Sequence, residues 1–368
     1  MLRVFEAFAG YGSQSIALRN LGIEYEVVAI SEIDKYAIKA YEAIHGVTNN
    51  LGDICKINPR DIPDHDLFTY SFPCQDLSVA GKQAGLGKGT RSGLLYECEK
   101  VIEAKKPKYL LLENVKNLVG KKFKADFDKW LEYLEGLGYT NYWKVLNAKD
   151  YGVPQNRERV FVVSILGDHE PYKFADKIPL DKCIADILED EVDEKYYSSE
   201  EIQKRFKLTN QNKNIIGTTK PDFRTIGQRD LVYDKNGIMG ALVATDYKQP
   251  KQILIPQATK KGYIEMDLPG VCDLSYPNSK TRRGRVQEGG KVSPTLTATS
   301  QDICYIEPSY RIRKLTPREC FRLMGMRDDD IDKIQATGIS NTQQYKMAGN
   351  SIVVNVLEAI FKNLFMEG

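Results

Sequence analysis

From residue 2 to about 166, short apolar, β-branched runs alternate with amphipathic stretches, and this alternation limits the chain to very few architectures. "RVFEAF", "YEVVAI", "DLFTYS", "KYLLLE" and "RVFVVSIL" read as strands. Between them stand "SQSIALRNLG", "DKYAIKAYEAIHG", "GLLYECEKVIEAKK" and "FKADFDKWLEYLEGLG", which read as helices. Strands that take turns with helices build crossover units, so the fold class is α/β, a doubly wound and mostly parallel sheet. Ligands of such sheets bind beyond the carboxyl ends of the strands.

After residue 167 the character changes. Residues 168–310 are rich in Gly, Asn, Lys, Thr and Pro with only short apolar runs, which predicts a smaller, irregular, β-rich domain. Within it "RDLVYDKNGIMGALVAT" (229–245) aligns without a gap on "RGRVQEGGKVSPTLTAT" (283–299), with five identities in seventeen positions, a faint internal repeat. Helical signals return at 311–368, which completes the first domain of residues 1–167. In "LTPRECFRLMG", Thr316 is the N-cap, Pro317 the first helical residue and Glu319 the capping-box partner, with Gly325 to close. In "GNSIVVNVLEAIFKNLF", Asn350 and Ser351 mark the start of a last helix.

Composition removes several functions. The seven cysteines are odd in number and never form CxxC, and the three histidines are isolated, so neither a disulfide framework nor a metal site is expected. No apolar run reaches membrane-spanning length, and neither a signal peptide nor a membrane span is expected; the scattered cysteines suit a reducing cytoplasm, and a monomer is expected. A net charge of +2 provides no global field for nucleic acid, so binding there must use local patches such as "SKTRRGR", with Arg283 and Arg285.

The chemistry gathers at strand ends. The first strand runs into "FAGYGSQS", where Gly10 and Gly12 open a helix and let a ligand approach the backbone, and Glu32 ends the next strand where it can accept from ribose hydroxyls. Ser15 replaces the third glycine of the dinucleotide pattern, which favours a nucleoside cofactor without phosphates. Asp53 in "LGDI" is placed to accept from an adenine amino group, or is a turn-forming aspartate. In "SFPCQDLS", Cys74 follows Pro73 at a strand end and precedes a glycine-rich segment, 79–93, long enough for a lid, so it reads as a nucleophile rather than a core thiol. Glu113 ends the apolar strand in "LLLENV", where desolvation would raise its pKa and suit it to proton donation. Arg157 and Arg159 in "QNRERVF" share one strand face and read as salt-bridge or substrate-binding residues.

Together, "FEAFAGYGS", "SEID", "GDI", "SFPCQDLS", "ENV", "QNRERV", "RKLTPRECFRLMG" and "YKMAGNSIVVNVLEAI" resemble, in order and over nearly the whole chain, the cytosine-C5 DNA methyltransferases. The resemblance implies a Rossmann-like methyltransferase fold using S-adenosylmethionine and no metal. It implies Cys74 as the nucleophile, Glu113 at cytosine N3, Arg159 at O2 and Arg157 as a further catalytic-site residue. The methyl-donor pocket would be lined by Phe8, Gly10, Gly12, Glu32, Ile33, Asp53, Ile54, Pro73, Asn350 and Ile352. Duplex DNA would be met by Gln75, Ser78, Arg91, Arg283, Arg285, Thr295 and Leu296, with 168–310 as the target-recognition domain. A companion restriction endonuclease is an implied partner. Ser13, Ile33, Leu77 and Ala80 depart from the usual residues at their positions.

The implied reaction adds the Cys74 thiolate to C6 of a flipped-out cytosine, methylates C5, and eliminates the thiol. Two other readings share these motifs, a transfer RNA cytosine methyltransferase and an idle DNA-binding relative. A nicotinamide-dependent dehydrogenase, suggested by Gly10, Gly12 and Glu32 alone, leaves Cys74 unexplained.

Overall fold

A computed structural model of the chain describes residues 1–73, 94–199, 201, 207–212, 214–220, 230–244, 246, 252–256, 270–273, 303–306 and 310–366. The glycine-rich segment 79–93 and the second copy of the internal repeat lie outside these residues, as do Cys74, Gln75, Ser78, Arg91, Arg283, Arg285, Thr295 and Leu296. Backbone packing divides the chain into two units. One holds residues 1–192, 236–251 and 315–368; the other holds 193–235 and 252–314.

The first unit is built on a six-stranded sheet. Its strands are β1 (Leu2–Ala7), β2 (Tyr25–Ser31), β3 (Leu67–Tyr70), β4 (Tyr109–Val115), β5 (Tyr139–Asn147) and, after the two-residue β6 (Gln155–Asn156), β7 (Glu158–Leu166), in the order β2-β1-β3-β4-β7-β5. The first four neighbours pair in parallel, whereas β7 runs antiparallel between β4 and β5. The sheet is thus mostly parallel. Strand β5 was not apparent in the sequence because it lies at the edge, with Trp143 40% exposed, and so lacks an unbroken apolar run.

Successive side chains of β1 leave on opposite faces. Phe5 and Ala7 join Phe68, Tyr70, Leu110 and Leu112 beneath helix α3 (Leu95–Lys105) and helix α4 (Lys124–Gly136), which bury Cys98, Ile102, Phe127 and Trp130 against them. Glu6, pointing the other way, meets side chains of α1 (Ser13–Asn20) and α2 (Lys35–His45). Burying aromatic and branched side chains of this size contributes about 1.5–3 kcal/mol each before entropy is charged.

At the C-terminus, α5 (Pro317–Arg322) has the capping box of Thr316 and Glu319 with Pro317 in its first turn. Helices α6 (Asp328–Ala336), α7 (Asn341–Asn350) and α8 (Val354–Phe365) follow, and α8 packs on α1. Asn350 therefore ends one helix, and Ser351 is its extended C-cap; the last helix begins three residues later than the sequence indicates. The break follows from Ser351, which leaves helical φ/ψ while its N–H still bonds Ala348.

Residues 168–192 and 236–251, which the sequence reading placed with 168–310, belong to the first unit. Local packing explains both: Tyr172, Ile184 and Ile187 are buried there, and Met239–Gly240 pairs with Gln155–Asn156. The second unit carries a five-stranded sheet of 207–212, 215–218, 231–234, 252–256 and 310–314, with Val232 and Ile312 in its small core. A separate ladder pairs 270–273 with 303–306.

Candidate active site

The strands of the first unit end around one cavity of about 440 Å³, lined by residues drawn from 8–14, 31–37, 52–54, 71–73, 94, 113–115, 157–159 and 346–352. The turn after β1 forms one wall. Phe8, Gly10 and Gly12 all adopt positive φ, and a side chain on Gly10 would meet nothing within 4 Å, so a ligand can approach this backbone closely. Phe8 holds this conformation without being glycine, a local strain of about 1 kcal/mol or more. Gly12 serves packing instead: a Cβ there would lie 2.5 Å from His45 Nε2, and Gly12 does not line the cavity.

Glu32 fixes the second wall. Its Oε2 accepts from Gly10 N at 2.9 Å, while Oε1 accepts from the N–H groups of Ile33 and Asp34 at 2.8 Å. A carboxylate has about four acceptor sites, so one stays available to a ligand hydroxyl. Ile33 is 72% exposed yet lines the cavity, which places it at the mouth. Asp53 caps the short turn, its Oδ1 accepting from Cys55 N at 3.1 Å, and lines the cavity beside buried Ile54. Pro73, Asn350 and Ile352 line it too.

Across the cavity stands Glu113, 8% exposed, with Oε1 3.3 Å from Arg159 Nε. Burial raises its pKa above the ordinary carboxylate value, opposed by Arg159, Arg157 and a hydrogen bond from Ser71. The neighbouring Asn114 Nδ2 donates to Phe72 O at 3.1 Å, which ties the end of β4 to the backbone just before Cys74.

The two arginines do different work. Arg159 faces Glu113, whereas Arg157 is buried and donates to the carbonyls of Leu242 at 2.7 Å, Gly349 at 3.1 Å and Ser351 at 2.6 Å. These bonds brace the strap between α7 and α8. Gln155 assists, accepting from Leu242 N and donating to Leu323 O.

Several lining or bracing residues escaped the sequence reading. Asn50 accepts from both Glu32 N and Gly52 N, Ser13 shares a 2.7 Å hydrogen bond with Ser351, and Lys346 pairs with Asp34 at 2.9 Å. Asn50 carried a turn-residue signal; Lys346 stands inside "YKMAGNSIVVNVLEAI", but its polar helix gives no periodicity that would place it. Among the described residues no cluster of metal-ligating side chains is found, and no helix is long and apolar enough to cross a membrane.

A doubly wound sheet whose strand ends gather a glycine turn, the Glu32 carboxylate and a buried Glu–Arg pair around one cavity is the arrangement of an α/β domain that binds its ligand beyond the strand ends. Residues 2–366 match the family described as C-5 cytosine-specific DNA methylase. The chain is 40% identical to the type II methyltransferase M2.ScrFI of Lactococcus lactis subsp. cremoris, over 99% of each chain. It is 33% identical to the orphan methyltransferase M.SPRI of Bacillus phage SPR, over 99% of this chain and 97% of that one. The solved structure of S. pombe Dnmt2 methyltransferase shares the fold with a TM-score of 0.65 at 19% identity, covering 100% of this chain and 99% of that one. The chain belongs to the C-5 cytosine-specific DNA methylases, and its reaction is methylation of cytosine at C5 in DNA.

Proposed function

We propose that the methyl donor is S-adenosylmethionine, bound in the 440 Å³ cavity, and that Cys74 is the nucleophile acting on a cytosine flipped out of duplex DNA. One observation supports this best. Phe8, Glu32, Asp53, Glu113 and Arg159, far apart in sequence, line a single cavity whose wall reaches Pro73, the residue before Cys74. The lining also fits the donor. Glu32 and Asp53 can accept from ribose hydroxyls and an adenine amino group, their negative charge favours a sulfonium cation, and Phe8, Ile33, Ile54 and Ile352 offer apolar contact. When bound, S-adenosylmethionine supplies an electrophilic methyl carbon to C5.

C5 of cytosine is a poor nucleophile until the ring loses aromaticity. Addition of the Cys74 thiolate to C6 achieves this, moving the ring electrons onto N3 and C5. Glu113, whose pKa burial raises, gives its proton to N3, and Arg159 holds O2. After methylation the C5 proton leaves to a base, its bonding electrons expel the Cys74 thiolate from C6, and the N3 proton returns to Glu113. Flipping the base costs a few kcal/mol that protein contacts must offset. Gln75, Ser78 and Arg91 would supply such contacts. Residues 193–235 and 252–314, with Arg283, Arg285, Thr295 and Leu296, are proposed to read the target. A companion restriction endonuclease would cut the same sequence where it is unmethylated.

Labelled methyl transfer from S-adenosylmethionine tests the reading. Duplex DNA is expected to be the acceptor, and label appearing only in transfer RNA would overturn it. Glu113→Gln should lower kcat by roughly 10²–10⁴-fold while donor affinity by calorimetry stays within about twofold. Lost affinity instead would reassign Glu113 to the donor site.

A further inference from the structure

Beneath the glycine turn lies a buried carboxylate that no step above uses. Glu6 is wholly buried, and each oxygen has its own donor: Ser15 Oγ at 2.8 Å on Oε1 and the Tyr41 hydroxyl at 3.0 Å on Oε2. Ser15 sits in the first turn of α1 and Tyr41 on α2, so one side chain of β1 joins both helices to the sheet. Tyr25 adds a bond from its hydroxyl to Ser15 O at 2.9 Å. The Tyr41 ring forms the floor of the turn. A Cβ on Gly12 would come within 2.7 Å of Tyr41 Cε2, and the adjacent His45 reaches Tyr11 O at 3.2 Å. The roof of the same turn lines the cavity, where Gly10 N meets Glu32.

We propose that Glu6 is a positioning residue for methyl-donor binding: by pinning Ser15 and Tyr41 it sets the height at which the 8–12 turn faces the cavity. The proposal rests on the reading of that cavity as the S-adenosylmethionine site. A residue with this role governs donor affinity and leaves the chemistry at cytosine alone. A merely structural residue would lower stability without separating KM from kcat.

The decisive variants are Tyr41→Phe, which keeps the ring on Gly12 and removes only the hydroxyl, and Glu6→Ala, compared with the isosteric Glu6→Gln. Tyr41→Phe and Glu6→Ala should each raise the donor Kd and KM about tenfold, the scale of one lost buried hydrogen bond. Turnover at saturating donor should change less than about twofold, and Glu6→Gln, which retains shape and one acceptor, should recover part of the loss. Unchanged Kd in Tyr41→Phe, or KM and kcat worsening together, overturns the proposal; Tyr41→Phe decides alone if Glu6→Ala does not fold. Wild-type protein that fails to bind S-adenosylmethionine would overturn the cavity assignment and this proposal with it. Wild-type binding with an unaffected Tyr41→Phe would remove the Glu6 role only.

Discussion

Glu6 and His45 face the same turn from below, and their protonation equilibria oppose each other. Burial raises the Glu6 pKa from 4.5 to about 7 against the hydrogen bonds of Ser15 and Tyr41. Burial lowers that of His45 from 6.5 to about 4, despite the Tyr11 carbonyl. For Glu6 the native state holds a proton that the unfolded state releases, so its contribution is full below pH 4.5 and is lost as pH rises to about 7. For His45 the unfolded state holds the proton, so its contribution is full above pH 6.5 and is lost as pH falls towards about 4. Between about pH 4.5 and 6.5 the two slopes cancel. Glu6→Gln removes one of them, so stability measured by urea unfolding should rise with pH across that window by about 1 kcal/mol per unit more than in the wild type. Parallel wild-type and variant curves would show that Glu6 does not titrate there.

At the scale of elements, close backbone approach decides what substitutions the end of α7 tolerates. A Cβ on Gly349 would lie 2.3 Å from Val243 C and 2.5 Å from Ala244 N, backbone atoms that cannot turn aside as a side chain can. Gly349→Ala should therefore cost about 1–3 kcal/mol by overpacking and lower the melting temperature by several degrees. An unchanged melting temperature would mean that this contact is looser than the structure has it. Such contacts are invisible in sequence, since residues 243 and 349 belong to distant segments. What the sequence does reveal is local: strands β1, β2, β3, β4 and β7 and helices α1 to α4 follow from periodicity, and α5 from its capping box. Helices α6 and α7 do not, because "DDDIDKIQA" and "NTQQYKMAGN" carry too few apolar residues to show a stripe, and α7 merges in the sequence with the helix after it.

Across the whole molecule, the candidate site was legible where chemistry marks a single residue. Glu113 at the end of an apolar strand, Glu32 after the glycine turn and Asp53 in its own turn all line the cavity. Arg157 shows the limit of that reading. This motif arginine lines the cavity with Glu113, and its guanidinium also holds carbonyls of Leu242, Gly349 and Ser351, oxygens that only the folded chain brings together. Asn50, Ser351 and Lys346 escaped for the same reason, each acting through a partner remote in sequence. The proposed mechanism joins this cavity to the residue that follows Pro73, and a covalent trap tests that link most directly. In duplex DNA carrying 5-fluorocytosine in the target sequence, incubated with S-adenosylmethionine, fluorine stands where the departing C5 proton would be and cannot leave as a cation, so the thioether at C6 should persist. Peptide mass spectrometry is predicted to find the pyrimidine on Cys74, with no adduct in Cys74→Ser; no adduct, or one on another side chain, would contradict the mechanism.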